Sequence, residues 1–399
     1  MNRSMVFILI TLSLDAVGFG LIAPVMPDLL RSVTGGDLAH AALWGGLLTG
    51  GFAAMQFLCG PVIGNLSDRF GRRPVLLISL GVLAADYAVL SVAQSIWLIL
   101  AARLITGAAS STYGTSMALI ADISTPEEKV ARFGLSGAAF GIGFVLGPLI
   151  GGLLAEYGPR APFIAAGCVA AGNFLFGLFF QRETLSPMHR RAFDLRRANP
   201  FGAFRAIGRM AGLGVFLAIY ALYEFAFTVY PVIWAYFTPA RFGWSPGMVG
   251  LSLAYFGIGF AVVQAVLIGP ASRRLGRFGA VGLGLAAASL SFATLTWIES
   301  GWWALVLVPI STLAGFVNPG IRAELSDRVP ADQQGELQGA LSSLRAVGMM
   351  SAPFVFTWTF AATTGEAASI HWPGAVFATP AALNALALFL LLSPRTRRS

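Results

Sequence analysis

Charge is scarce in this sequence. Of 399 residues only 11% are Asp, Glu, Lys or Arg, while 56% are hydrophobic. A soluble domain carries about a quarter charged residues to solvate its surface, so a water-facing exterior is excluded. Lysine is almost absent, Lys129 being the single one among 26 basic residues. The only cysteines, Cys59 and Cys168, lie in apolar stretches without ligand spacing and read as small packing residues. His40, His189 and His371 fall in loops or at helix ends and form no ligand set, so no metal site is expected. There is no Ser/His/Asp arrangement and no glycine loop followed by lysine to cradle a phosphate. These absences argue against an enzyme, against a bound cofactor and against ATP as the energy source. An ion gradient is left.

Long apolar runs are what the chain does have. A spanning helix needs roughly 20 apolar residues. Such runs occur near 5–27, 42–63, 74–95, 97–120, 133–155 and 162–181, then near 211–236, 247–269, 278–299, 302–321, 337–361 and 374–394. The first is long, contains Asp15 and reads as a span rather than a cleaved leader. Between the two sets lie Arg182, Arg190, Arg191, Arg196, Arg197, Arg205 and Arg209 against only Glu183 and Asp194. The expected architecture is an all-α membrane protein of twelve transmembrane helices in two pseudo-symmetric six-helix bundles. Residues 1–181 form the first bundle, 182–210 a basic linker and 211–399 the second. Arg3, Arg69, Arg72, Arg73, Lys129, Arg132, Arg273, Arg274, Arg277, Arg395, Arg397 and Arg398 fall on the linker's side of the helices. The alternate loops hold only Arg31, Arg160 and Arg241. The positive-inside rule then puts both termini and the linker in the cytoplasm. The net charge of +8 is thereby a topology signal, and no nucleic-acid partner is expected.

The two sets repeat. Gly64-Asn-Leu-Ser-Asp-Arg-Phe-Gly71 recurs as Gly269-Pro-Ala-Ser-Arg-Arg-Leu-Gly276, an offset of 205 residues. Two homologous halves imply a pseudo-twofold axis along the membrane normal, with substrate handled between them. In the first copy Gly64, Asp68, Arg69, Gly71, Arg72 and Arg73 form a tight turn, where Asp68 can pair with arginine or accept bonds from a helix N-terminus. Gly143, Gly147, Pro148, Gly151 and Gly152 fall in the fifth run, where small residues at i and i+4 admit a neighbouring backbone and proline bends the helix. Arg103 lies about 9 Å below Trp97 at the helical rise, a depth at which a charge needs water or a partner. Asp15, Asp86 and Glu224 each sit roughly 15–20 Å from a cytoplasmic helix end, so near mid-bilayer. A carboxyl that is neutral when occluded and ionised when wet can carry a proton in exchange for substrate.

Together these patterns resemble the major facilitator superfamily. In that family the Gly64–Arg73 pattern is a cytoplasmic latch, the Gly-Pro helix is the antiporter motif of exporters, and the buried arginine is implicated in proton transfer. Leu14-Asp15-Ala16-Val17-Gly18-Phe19-Gly20, Ser67-Asp68-Arg69-Phe70-Gly71-Arg72-Arg73-Pro74, Asp86-Tyr87 and Arg241-Phe242-Gly243-Trp244 narrow it to the drug:proton antiporter branch, where they resemble the tetracycline efflux pumps. The resemblance implies a proton-coupled antiporter of the bacterial inner membrane. It would export small amphipathic drugs by alternating access and act as a monomer in the lipid bilayer. Tetracycline, carried as a divalent-metal chelate, is a candidate cargo. Asp15, Asp86, Arg103 and Glu224 are then the proton-coupling residues. Gln56, Tyr113, Tyr223, Phe227, Gln264 and Asn318 are candidates for the substrate cavity.

The sequence departs from those pumps where they carry a coupling aspartate in the ninth span, because Ala288 stands here. Phe260 replaces a histidine of the eighth span, and Glu224 replaces a glutamine of the seventh. The simplest expectation is that the second proton site has moved to Glu224. A metabolite or sugar transporter of the same fold is the alternative, against which the antiporter pattern argues. A membrane enzyme or scaffold would not need three intramembrane acids.

Overall fold

A computed structural model of the chain describes residues 3–194, 199–202, 212–366 and 368–393. Arg196, Arg197, Arg205, Arg209, Arg395, Arg397 and Arg398 lie outside the described residues. Almost every described residue is helical and none forms a strand. Apolar runs with their backbone groups bonded internally are the only helical solution a bilayer allows. The first set comprises Ser4–Ile22, Leu38–Phe70, Arg72–Val92, Ile96–Asp122, Glu127–Tyr157 and Ala161–Phe180. The second comprises Gly214–Phe242, Pro246–Trp297, Gly301–Asp327, Gln334–Thr364 and Pro373–Leu392. Large apolar side chains such as Ile78, Phe179 and Phe389 are exposed on outer faces, as lipid-facing positions are.

Eleven helical segments long enough to cross a membrane are found among the described residues, where twelve runs are expected. The difference lies in Pro246–Trp297, which has 52 residues. At about 1.5 Å per residue that is roughly 78 Å, more than twice the ~30 Å hydrocarbon core. Two helices meet there at a kink on Gly276, with φ 70° and ψ 169°. The turn is so short that helical bonding resumes at once, so the eighth and ninth runs merge into one element. Its partner in the repeat, Gly71, has φ 108° and separates Leu38–Phe70 from Arg72–Val92. Both glycines occupy backbone that a Cβ would strain.

The 205-residue repeat is written into the backbone breaks as well. The first helix stops at Ile22 before a short helix Met26–Thr34, and the Gly214–Phe242 helix is interrupted at Thr228. Likewise Ile96–Asp122 breaks at Ser110, and Gly301–Asp327 tightens to 3₁₀ over Leu313–Phe316. Glu127–Tyr157 is started by a capping box, in which the Thr125 side chain accepts from the Glu128 N–H and Glu128 accepts from the Thr125 N–H.

The chain falls into two compact units. One is Met1–Gly35, Gly51–Pro200 and Ser245–Ala254; the other is Gly36–Gly50, Phe201–Trp244 and Tyr255–Ser399. Within the first unit, Gly143, Gly147 and Gly151 place the fifth-run helix directly on the first. A Cβ on Gly147 would lie 2.7 Å from Gly20 Cα and Val17 O, and one on Gly143 would meet Ser13 O. Ser13 also donates to Ala139 O at 3.0 Å. Gly152 faces Gly247, and the carbonyl of Pro148 faces Gly250. Within the second unit Gly45, Gly46 and Gly50 lie against Tyr236, Thr357 and Phe354.

Candidate functional site

Two polar clusters interrupt the apolar interior, one in each unit. In the first unit the Asp86 carboxylate, on Arg72–Val92, is paired with the Arg103 guanidinium, on Ile96–Asp122. Arg103 Nε adds a contact to Asp86 Oδ1 at 3.3 Å, and the guanidinium lies 5.7 Å from the Phe52 ring. Gly107, one turn along, lets the Phe52 backbone approach to van der Waals contact. Asp86 is 2% exposed and Arg103 8%. A pair this deeply buried holds only because each charge has its partner.

Asp15 is arranged differently. Its Oδ1 is buried with no hydrogen-bond partner among the described residues. It borders a small cavity lined by Gly18, Leu83, Tyr87, Ala166 and Asn173. Thr11 donates to Asn173 Oδ1 at 3.1 Å on the same side. Asp86 and Tyr87 are consecutive, so one helix supplies both the acid of the locked pair and a wall beside Asp15, and the Arg103 guanidinium lies 6.0 Å from the Tyr87 ring.

In the second unit Glu224 is not isolated. Asn318 donates its side-chain amide to Glu224 Oε1, and Arg345 Nε stands 3.5 Å from Oε2. Next to it Arg322 donates to the Tyr220 hydroxyl at 2.9 Å and to Gln338 Oε1 at 3.2 Å. Tyr223 donates its hydroxyl to Ala314 O at 2.8 Å. Three helices, Gly214–Phe242, Gly301–Asp327 and Gln334–Thr364, therefore converge on one acid. Beside it Phe227 stacks on Tyr223 at 5.7 Å and packs on Phe260 at 5.6 Å. Phe260 is thus part of an aromatic wall, and Ala288 is buried at 3% exposure without a polar function.

Of the cavity candidates, Tyr223, Phe227 and Asn318 come together around Glu224. Tyr113 is half-exposed against Phe140, at 5.7 Å between rings. Gln56 and Gln264 are exposed on their own helices, Gln264 within a π turn at Val263–Leu267. Among the described residues no group of three acids, histidines or cysteines is placed to hold a metal ion.

The turn after the second helix is a closed network. Arg72 bonds Asp68 Oδ1 at 2.5 Å and Asp122 Oδ2 at 3.1 Å. Glu183 accepts from the backbone N–H groups of Arg72 and Arg73 at 3.0 and 3.1 Å, capping the Arg72–Val92 helix, and also from those of Thr184 and Leu185. Arg73 donates to Leu178 O at 2.7 Å. Arg69 lies over the Phe70 ring instead, and Gly64 faces open space.

Sequence reading alone missed Arg322, Arg345 and the capping role of Glu183. The signal for Arg345 was present: a guanidinium inside an apolar run, the same feature that singles out Arg103.

A family profile described as the Major Facilitator Superfamily matches residues 8–353. The chain belongs to this superfamily. It is 38% identical over 397 residues to the tetracycline resistance protein, class C, of Escherichia coli, covering 100% of this chain and 97% of that one. To the class G protein of Vibrio anguillarum it is 36% identical, with 99% and 98% covered. Among solved structures it matches the human organic anion transporter MFSD10 (TETRAN) with TM-score 0.70 at 27% identity, covering 98% and 99% of the two chains. The nucleoside transporter NupG matches with TM-score 0.77 at 15% identity, covering 98% of each chain, which is a likeness of fold. The chain is a multi-pass membrane transporter of a small-molecule family.

Proposed function

We propose that the protein exports small amphipathic drugs in exchange for protons, by alternating access across a bacterial inner membrane. The observation that carries this reading is end-to-end similarity to tetracycline resistance proteins. Placement of the acids supports the coupling. Asp15 borders a cavity and Glu224 is held by side chains from two other helices, so each can change charge as its surroundings open and close. Asp86, locked to Arg103, is a poorer proton carrier and serves to position the helices. The termini and the linker face the cytoplasm, on the side of the arginine-rich turns, and the monomer is the working unit. Where a drug travels as a divalent-metal chelate, the metal is cargo. The aromatic wall of Phe227 and Phe260 suits a planar molecule.

Energised inside-out vesicles test the reading directly. Adding tetracycline with magnesium, or other amphipathic drugs from a panel, is expected to release protons from the lumen. The signal should be lost in Asp15→Asn and in Glu224→Gln, while both variants still insert. Undiminished proton movement in Glu224→Gln would overturn the relocation of the second proton site. Silence of the inserted wild type across the panel would favour metabolite transport instead.

A further inference from the structure

The charges around Glu224 do not balance. Glu224 pairs with the Arg345 guanidinium and accepts from Asn318, while a second guanidinium, Arg322, lies beside them on Tyr220 and Gln338. Arg322 spends its bonds on neutral acceptors, and its Nε is buried without a partner among the described residues. Arg345 Nε stands 3.5 Å from Glu224, and its side chain is 55% exposed although it lies inside the Gln334–Thr364 helix. It stands about 16 Å from that helix's start. A guanidinium open at that depth must face a water-filled space.

Three kinds of ligand can be weighed against this arrangement. A lone cation drawn to Glu224 is repelled by Arg345 a few ångströms away. A lone anion drawn to Arg345 is repelled by Glu224. A molecule carrying both charges close together pairs with both groups and repays the desolvation that either charge alone would not. Phe227, one helical turn from Glu224, supplies the apolar surface for its body. We infer that Glu224 and Arg345 are a recognition pair for zwitterionic aromatic molecules, Glu224 taking the positive pole and Arg345 the negative. In the empty site the two hold each other; the ligand separates them by bridging them.

This assignment rests on the export reading and gives it a direction. The positive pole needs an ionised Glu224, so a proton arriving at Glu224 removes the partner of that pole and favours release. The titratable and charged groups around Glu224 are Tyr220 and Tyr223 on its own helix, Arg345 from Gln334–Thr364, which pairs with it, and Arg322 from Gly301–Asp327, which bonds Tyr220. The Pro373–Leu392 helix, which also packs on it, contributes no titratable side chain.

The test uses three dyes on one planar skeleton and purified protein in detergent. Rhodamine 110 is a zwitterion, its methyl ester rhodamine 123 a cation, and fluorescein an anion. Wild type is expected to bind rhodamine 110 about tenfold or more tightly than either, the scale of one charge-assisted hydrogen bond. In Arg345→Gln the rhodamine 110 affinity should fall to that of rhodamine 123, while rhodamine 123 itself does not weaken. In Glu224→Gln the rhodamine 110 affinity should likewise fall to that of fluorescein. Equal binding of the three dyes, no binding of any, or a preference that survives both substitutions overturns the assignment. The comparison within wild type needs no variant to fold. Binding in detergent is also independent of proton release from vesicles, so antiport can fail while the zwitterion preference stands, and the reverse.

Discussion

With every group ionised, Asp15, Asp86 and Arg103 leave the first unit's cluster one negative charge in excess, whereas Glu224, Arg322 and Arg345 leave the second unit's one positive. The two pairs also differ in access. Asp86 and Arg103 are sealed, at 1% and 10% side-chain exposure, while Arg345 is more than half exposed beside Glu224. The halves descend from one repeat, and 205 residues separate Arg72 from Arg277 and Asp122 from Asp327, which pair in both copies. The peripheral ion pair has been kept on both sides while the interior charges have diverged. A sealed pair fixes helices against each other; an open pair can exchange partners.

The largest effect should come from breaking the sealed pair. Arg103→Ala strands Asp86 in the interior, a loss of about 3–5 kcal/mol, and should sharply lower the yield of folded protein in fluorescence-detected size exclusion. Adding Asp86→Asn is expected to restore much of that yield; a double variant no better than the single one would show that the pair is not what holds this region. Arg345→Gln, removing one member of the open pair, should leave the yield near wild type.

Next comes the packing of equivalent glycines. Gly143→Ala drives a methyl into Ser13 O and to 2.8 Å from the Ala16 Cβ, whereas at Gly348, its counterpart 205 residues on, the nearest atom is Phe225 Cα at an ordinary 3.5 Å. Overpacking predicts a loss of about 1–3 kcal/mol for the first and little for the second. Thermal unfolding in detergent checks the ranking. Equal shifts would mean that the tight backbone contact belongs to the repeat and not to the first unit.

The smallest difference is expected at the preserved pair. Arg72 is 13% exposed and bonds Asp68 as well as Asp122, while Arg277 is 40% exposed and bonds Glu324 and Asp327. Arg277→Ala should therefore cost at most about 1 kcal/mol, as exposed pairs do, and Arg72→Ala more. The same melting series decides; a larger loss at Arg277 would reverse the assignment of the tighter network to the first turn.

Much of this was legible in the residues. The apolar runs predicted every span, because crossing a bilayer demands a stretch of a given length and polarity whatever its neighbours are. Gly71 and Gly276 marked turns because only glycine accepts their backbone. Asp15, Asp86, Arg103 and Glu224 announced themselves as charges where charge is costly. The merging of the eighth and ninth runs was not legible, since it depends on how soon helical bonding resumes after Gly276. Nor was the cap at Glu183, which reads as one acid in a basic linker until the fold brings it to the N–H groups of Arg72 and Arg73.

By itself the sequence determined a membrane-embedded helical protein, the order of its spans and the placement of its charged groups along them. These follow from hydropathy and helical rise, which are local quantities. Only the tertiary structure decided which charges meet. Asp86 is sealed by Arg103, Asp15 is left facing a cavity, and Glu224 is shared by Asn318 and Arg345. Such pairings depend on the rotation and approach of helices far apart in the chain, set by glycine contacts and aromatic packing that no single segment contains.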